Sequence, residues 1–157
     1  MDAPLDHLLL PSSTSGGATT LAKLSSSNEV DKGVFVVVDL WTVSCGNCPR
    51  ALAHLNAFAG KVKEEGVGGR EVKCVSICLE QSSDDRALAQ ELLEGAWWND
   101  VTHYYASGET RDSLRALLGF KFVPYYVVVS DGFVAYSGRA INDIKGTLEE
   151  LSSLKNT

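Results

Sequence analysis

The sequence has few of the features that mark specialised classes of protein. Its 157 residues include only four cysteines, too few for a disulfide framework to hold together a domain of this size. No apolar run approaches the roughly 18–20 residues that a membrane-spanning helix needs. The N-terminal residues also lack the basic start of a signal peptide. We therefore expect a cytoplasmic protein without a membrane partner, or a chain from which a leader has been removed.

Positive charge is also scarce. The chain has 14 Lys and Arg residues against 20 Asp and Glu residues, which gives a net charge of −6 at pH 7. Nucleic acids and anionic membranes are bound by basic surfaces, so this balance argues against both as partners. With 45% hydrophobic and 22% charged residues, the composition is that of an ordinary globular domain. We expect that domain to be a monomer.

The chain divides into a short lead-in and one domain. Residues 1–20 are rich in serine, glycine and proline, which is typical of a flexible segment that contributes little to a core. In residues 21–157, strand patterns alternate with apolar residues at helical spacing, in the order β-α-β-α-β-α-β-β-α. This order predicts an α/β fold with a central mixed sheet flanked by helices. Its second long helix is expected to be capped by residues 82–85 and to stop at Gly95.

Two cysteines stand where the strongest predicted strand meets the first long helix. The strand, residues 34–40, ends just before Cys45-Gly46-Asn47-Cys48, and helical spacing of apolar residues predicts a helix from about residue 47 to 64. A thiol at a helix N-terminus is stabilised as the thiolate by free N–H groups and by the helix dipole. Two intervening residues allow both sulfurs to meet, so the spacing predicts a redox-active dithiol.

A zinc site is the main alternative for such a cysteine pair, and a vestigial pair without activity is another. Zinc needs about four ligands, yet Cys74 and Cys78 lie four apart on a predicted strand, with Cα atoms about 13 Å from each other. They therefore neither gather into a ligand cluster nor form a disulfide. The three histidines show no ligand-like spacing. We expect no metal and no cofactor beyond the dithiol, and we expect Cys74 and Cys78 to be buried apolar cysteines.

The segment Asp39-Leu40-Trp41-Thr42-Val43-Ser44-Cys45-Gly46-Asn47-Cys48 resembles the active-site segment of the thioredoxin-like superfamily. In that superfamily an aspartate lies six residues before the first cysteine and a tryptophan four before it, which are the positions of Asp39 and Trp41. Gly119-Phe120-Lys121-Phe122-Val123-Pro124 resembles the segment that carries the superfamily's cis-proline. The resemblance implies a thioredoxin fold over roughly residues 20–155, with Pro124 after a cis peptide bond.

The length of chain between these two motifs narrows the branch. This length exceeds the one that thioredoxin itself needs. In this respect the chain resembles the TlpA-like and tryparedoxin–nucleoredoxin-type branches. Those branches carry an insertion between the second core strand and the cis-proline. The Cys-Gly-Asn-Cys sequence after a Trp-Thr pair is most similar to TlpA-type sites. Ser44 and Asn47 depart from the residues common beside the two cysteines, which leaves the redox potential and the partner surface open.

The resemblance also implies roles for the catalytic residues. Cys45, nearer the helix start, would attack a partner disulfide, and Cys48, one turn in and more buried, would resolve the mixed disulfide. Asp39 is the candidate acceptor of the Cys48 proton. Desolvation at the end of an apolar strand raises the pKa of a carboxyl group, so Asp39 can exchange protons near neutral pH.

Three further residues are expected to bind the partner. Pro124 packs beside the cysteines in this superfamily, and the backbone of Val123 can pair with an incoming peptide by strand addition. Trp41 is expected to form the floor of the site or part of the core.

Together these residues predict a thiol–disulfide oxidoreductase, more specifically a disulfide reductase with a role in cell redox homeostasis. Its partners would be disulfide-containing proteins and an upstream thiol reductant or reductase. The alternative is a thioredoxin-fold interaction module or redox sensor, with Trp97-Trp98 as its contact surface. Peroxidase activity is disfavoured, because no threonine precedes Cys45 at the spacing of a peroxidatic loop.

Overall fold

The computed structural model describes residues 5–12, 17–26, 33–141 and 143–155, which contain six strands and five helices. In chain order these are β1 (Leu10–Pro11), α1 (Leu21–Leu24), β2 (Val34–Trp41), α2 (Cys48–Val62), β3 (Glu71–Leu79), α3 (Asp85–Ala96), β4 (Thr102–Ala106), α4 (Gly108–Leu118), β5 (Tyr125–Ser130), β6 (Phe133–Gly138) and α5 (Ile144–Lys155). From β2 onward the order is the predicted one. In the described part of the chain, no helix has the length and apolar character needed to cross a bilayer.

All six strands join one mixed sheet in the order β1-β4-β3-β2-β5-β6. Strands β2, β3 and β4 run parallel, whereas β5 and β6 on one side and β1 on the other pair antiparallel. Every residue of the central strand β2 is buried. A strand covered on both faces is expected to be apolar along its whole length, which is why β2 was the clearest strand in the sequence.

Helices cover both faces of this sheet. On one face, α1 and α4 pack on β2 side chains such as Val36 and Val38. On the other face, α2 and α5 pack over Val37, and α3 joins α2 around Trp41. Because side chains alternate along a strand, Asp39 lies on the same face as Val37 and Trp41, beneath α2.

The N-terminal segment contributes to the core, which corrects the prediction for residues 1–20. Leu5 and Leu9 are buried in the same cluster as α1 and α4. Leu9 exchanges two backbone hydrogen bonds with Thr19, and β1 pairs with β4. The apolar side chains at these positions outweigh the loop-forming composition around them. Residues 1–4 and 13–16 of the predicted lead-in lie outside the described residues.

The stretch between β3 and Pro124, predicted to hold an insertion, contains α3, β4 and α4. Helix α3 continues through Gly95, where the sequence predicted its end, because an exposed glycine lowers helix stability by only about 1 kcal/mol. The residue after the helix is Trp97, with a left-handed φ of 60°. Glycine usually occupies this position, since a bulky side chain is strained there.

Candidate active site

The two cysteines lie at the turn between β2 and α2, and a disulfide joins Cys45 to Cys48 with their Cα atoms 5.4 Å apart. The Cys45 N–H donates to the Thr42 carbonyl (3.2 Å), and the Cys48 N–H donates to the Cys45 carbonyl (3.4 Å). Helix α2 begins at Cys48, so this cysteine opens the helix and does not lie one turn in. The first N–H groups of a helix have no intrahelical partner, and together with the dipole they favour a thiolate here.

The two sulfur-bearing residues differ in accessibility. Cys48 is completely buried in a cluster with Trp41, Leu52 and Cys78. Cys45 is only half-buried and packs at the edge of the same cluster. A partner disulfide approaching from solvent can therefore reach Cys45 and not Cys48.

The segment facing Cys45 leads into β5. The peptide bond between Val123 and Pro124 is cis, and both residues are half-buried. The carbonyl oxygen of Val123 lies 3.7 Å from Sγ of Cys45. The structure thus places Val123 next to the more accessible cysteine.

Asp39 is completely buried, and neither of its carboxylate oxygens has a hydrogen-bond partner among the described residues. It lies between Ser76 of β3 and Tyr126 of β5 in the sheet register. Burial raises the pKa of the Asp39 carboxyl well above its usual value, because no donor or cation compensates the lost hydration. Burial, followed by the Asp39 charge, also raises the pKa of Tyr126 to about 12.

Trp41 is part of the core, which is one of the two positions expected for it. Its side chain is only 1% exposed, and its indole N–H donates to the hydroxyl of Ser76 at 3.3 Å. Helices α2 and α3 cover the Trp41 side chain, so it offers no surface to a partner. Trp41 can act only as a floor that packs against Cys48 from inside.

Ser76 connects Trp41 to a histidine that no sequence motif marked. The Ser76 hydroxyl lies 2.6 Å from Nδ1 of His103, and Nε2 of His103 lies 2.9 Å from the carbonyl oxygen of Trp98. A carbonyl only accepts, so Nε2 carries the proton and Nδ1 accepts from Ser76. Burial lowers the pKa of His103, and its bond to the Trp98 carbonyl opposes this in part. The ring is therefore neutral at physiological pH.

The loop after β3 borders the cysteine turn on the side opposite β5. The Ser44 hydroxyl donates to the side-chain oxygen of Gln81 at 2.7 Å. The buried Asp85 carboxylate holds this loop by accepting from the N–H groups of Gln81 (2.7 Å) and Ser82 (3.1 Å). The side-chain cap predicted from residues 82–85 does not form, because Asp84 at the N-cap makes no side-chain bond to the helix and Asp85 accepts only from residues that precede it.

Cys74 and Cys78 are free and buried, which confirms the prediction for both. Burial raises the pKa of each thiol to about 12, and at Cys78 the charges of Asp85 and Glu80 add to the effect. Thiols that stay protonated are poor nucleophiles and poor metal ligands. Within the described ranges, no three His, Cys, Asp or Glu side chains are grouped so that they could hold a metal ion.

Solved structures of the same architecture cover nearly the whole chain. The thioredoxin domain of a thiol-disulfide oxidoreductase from Bacteroides vulgatus matches with a TM-score of 0.67 and 14% identity, over 97% of this chain and 99% of that one. The pneumococcal exposed lipoprotein thioredoxin Etrx1 from Streptococcus pneumoniae matches with a TM-score of 0.68 and 14% identity, over 94% of this chain and 98% of that one. The chain has the thioredoxin fold.

A third thioredoxin-fold structure, a secreted disulfide oxidoreductase from Mycobacterium tuberculosis, matches with a TM-score of 0.61 and 16% identity over 96% of each chain. No protein-family model and no curated protein sequence matches the chain. At identities this low, the structural matches establish only the fold. The shared fold confirms the predicted fold class. Within the fold, the Cys45–Cys48 pair lies near the active-site position, at the carboxyl end of β2.

Sequence reasoning missed several residues around the site. Ser76 and His103 come together through the register of β3 and β4, which has no signature in the sequence. Phe122 and Arg139 also meet, with the guanidinium carbon 5.3 Å from the ring centroid. The one available signal for Phe122 was its place directly before Val123.

Proposed function

We propose that the protein is a thiol–disulfide oxidoreductase that acts as a disulfide reductase. The observation that carries the proposal is the arrangement of the Cys45–Cys48 pair. One cysteine is accessible beside the Val123 carbonyl, and the other is buried on the face that holds Asp39, whose carboxylate has no hydrogen-bond partner among the described residues. An attacking thiol must be reachable, and a resolving thiol must be close and shielded. This pair meets both requirements.

The reaction begins with the reduced dithiol. The Cys45 thiolate attacks one sulfur of a partner disulfide, a mixed disulfide forms, and the partner's second sulfur leaves as a thiolate. The Cys48 thiolate then attacks Sγ of Cys45, which restores the intramolecular disulfide and releases the partner with both cysteines reduced. Two electrons pass to the partner, so an upstream thiol reductant must return two electrons to the Cys45–Cys48 disulfide.

Asp39 fits the role of proton acceptor for Cys48. Burial raises the pKa of its carboxyl group, so the carboxylate takes up a proton more readily than a solvated aspartate does. It lies beneath α2, the helix that Cys48 opens. In this scheme, Asp39 takes the Cys48 proton as Cys48 attacks the mixed disulfide.

The partner is proposed to bind as an extended segment along Val123. Its backbone would pair with Val123 by strand addition, and Pro124 would pack against the segment. That pairing directs a partner sulfur toward Cys45, because the Val123 carbonyl already lies 3.7 Å from Sγ of Cys45.

The compartment remains part of the proposal. We infer a cytoplasmic reductase working as a monomer. Of the neighbours in fold, one is named an exposed lipoprotein and another a secreted protein. Measuring the redox potential of the Cys45–Cys48 pair tests the proposed direction of electron transfer. A value near about −270 mV is that of a reductase, whereas a value near about −120 mV would contradict the proposed direction.

Trapping the mixed disulfide tests the mechanism. Reduced Cys48→Ser should form a stable covalent adduct with a disulfide substrate such as insulin, because the resolving thiol is missing. Cys45→Ser should form no adduct and should lose at least about 10²-fold in turnover, as expected when the nucleophile is removed. Non-reducing gels and mass spectrometry detect the adduct.

Cys74→Ala is the matched control, since it removes a buried thiol that the mechanism does not use. It should keep the turnover of the unmodified protein. Full activity in Cys45→Ser, or an adduct on Cys74, would refute the assigned nucleophile.

An interaction module is the second candidate, and Trp97 is the observation that favours it. Its side chain is 78% exposed on a left-handed backbone position, so a large apolar surface is presented to solvent. Strained, exposed positions are often retained for binding. If Cys45 had an ordinary thiol pKa and no substrate were reduced, while Trp97→Ser abolished a protein contact, the module would be the function.

A further inference from the structure

The β5 side of the cysteine turn presents an exposed aromatic ring with cations around it. Phe122 is 63% exposed although it directly precedes Val123. The guanidinium of Arg139 stacks over this ring, 5.3 Å from its centroid, and Lys121 is exposed beside it. Among the described residues, neither Lys121 nor Arg139 forms an ion pair, whereas Lys63 pairs with Asp100 elsewhere on the surface.

The position of Phe122 distinguishes it from an ordinary exposed apolar residue. Single exposed apolar side chains are common and need no explanation. This one adjoins the residue whose carbonyl lies 3.7 Å from Sγ of Cys45. Because Phe122 directly precedes Val123, an extended segment bound along Val123 would pass near the Phe122 ring and the Arg139 guanidinium stacked on it.

The charges around the turn are distributed unevenly. The chain carries a net charge of −6, yet Lys121 and Arg139 accompany the segment before β5, and Arg50 is exposed in the first turn of α2. The acidic residues Asp84 and Asp85 lie at the start of α3, which follows β3 on the other side of β2. A partner segment on the β5 side therefore meets Lys121 and Arg139, neither of which is in an ion pair within the described part of the chain.

We propose that Phe122, Arg139 and Lys121 form a docking surface for partner segments that carry an acidic residue and an apolar residue beside the disulfide cysteine. The apolar side chain packs on the exposed face of the Phe122 ring, and the acidic side chain pairs with Arg139, with Lys121 adding to the local positive charge. This proposal rests on the proposed function, because it names the substrate class of the same site.

Two matched disulfide peptides test this selectivity. They share one apolar residue next to the cysteine and differ only in a flanking Glu or Lys. At low salt the unmodified protein should reduce the Glu peptide with a kcat/KM about tenfold higher, because charge complementarity raises the rate of encounter. The preference should shrink toward unity at about 0.5 M salt, where screening shortens the range of the charges.

Variants assign the preference to the surface. Arg139→Gln should remove most of the difference between the two peptides. Phe122→Ser should lower kcat/KM for both of them, because the apolar contact is common to both. Lys61→Gln is the matched control, since it removes one exposed positive charge near the far end of α2 and should leave the peptide preference unchanged.

The outcomes separate this inference from the proposed function. Hydroxyethyl disulfide is small and uncharged, so its reduction by the unmodified protein reports the dithiol chemistry alone. If it is reduced but the Glu and Lys peptides are reduced equally, or the Lys peptide faster, the docking surface is wrong and the reductase stands. An unchanged preference in Arg139→Gln would also overturn the assignment. No reduction of any substrate would refute the proposed function itself.

Discussion

Asp39 is a residue whose burial is unfavourable and is not offset by any contact in the described structure. A carboxylate without a hydrogen-bond partner is costly inside a protein, and this cost raises the pKa of the group. Groups with strongly shifted pKa values are concentrated at functional sites. The direction of the Asp39 shift could be predicted from the sequence, because an apolar strand on either side of the residue already indicates desolvation.

The raised pKa of Asp39 predicts how stability depends on pH. The folded state holds this proton at pH values where the unfolded chain, with a usual aspartate pKa near 3.9, has released it. The unfolded state therefore binds fewer protons, and stability falls as pH rises from about 4 through the folded pKa. Asp39→Asn should remove that loss. It should raise the melting temperature at pH 8 by about 2–4 °C, the shift that ~1 kcal/mol produces at this size.

The same variant should reduce insulin more slowly at pH 7, because Cys48 would lose the proton acceptor that we propose for it. Thermal unfolding of both proteins at pH 5 and pH 8, alongside the activity assay, checks the prediction. Asp112→Asn is a suitable control, since Asp112 is exposed and pairs with Arg111 on the surface. Equal pH profiles for the unmodified protein and Asp39→Asn would show that Asp39 does not titrate as described.

At the scale of elements, the pairing of β3 with β4 produces a buried polar chain behind the cysteines. Trp41, Ser76, His103 and the Trp98 carbonyl are connected by three contacts of 3.3, 2.6 and 2.9 Å. The strands themselves could be predicted from their apolar runs. Their register could not, because one apolar pattern is compatible with several pairings, and the partners of Ser76 follow only from the register.

Ser76→Ala should leave the Trp41 indole N–H and Nδ1 of His103 without partners inside the protein. Each unsatisfied buried group costs about 1–3 kcal/mol, so the variant should lose at least that much stability. Urea unfolding followed by circular dichroism measures the loss. Ser83→Ala removes a hydroxyl from an exposed loop residue and should change stability by no more than about 0.5 kcal/mol. Equal stability of the two variants would mean that the polar chain contributes nothing.

At the scale of the whole molecule, the sequence was informative wherever local pattern and tertiary context agree. Residues close together in the chain determine the strand at 34–40, the Cys45–Cys48 turn and the hairpin of β5 and β6. The expectations failed where distant contacts decide the structure. The burial of Leu9 depends on β4, which is formed almost a hundred residues later.

Leu9 tests whether the N-terminal segment is part of the domain. Its side chain is completely buried in the core cluster on the α1 and α4 face, whereas the neighbouring Leu8 is 55% exposed. Leu9→Ala should therefore destabilise the protein by about 2–5 kcal/mol, the usual cost of truncating a buried leucine. Leu8→Ala makes the same chemical change one residue away and should cost no more than about 0.5 kcal/mol. Chemical unfolding of the two variants measures both values. Equal small losses would mean that residues 5–12 contribute little to the stability of the domain.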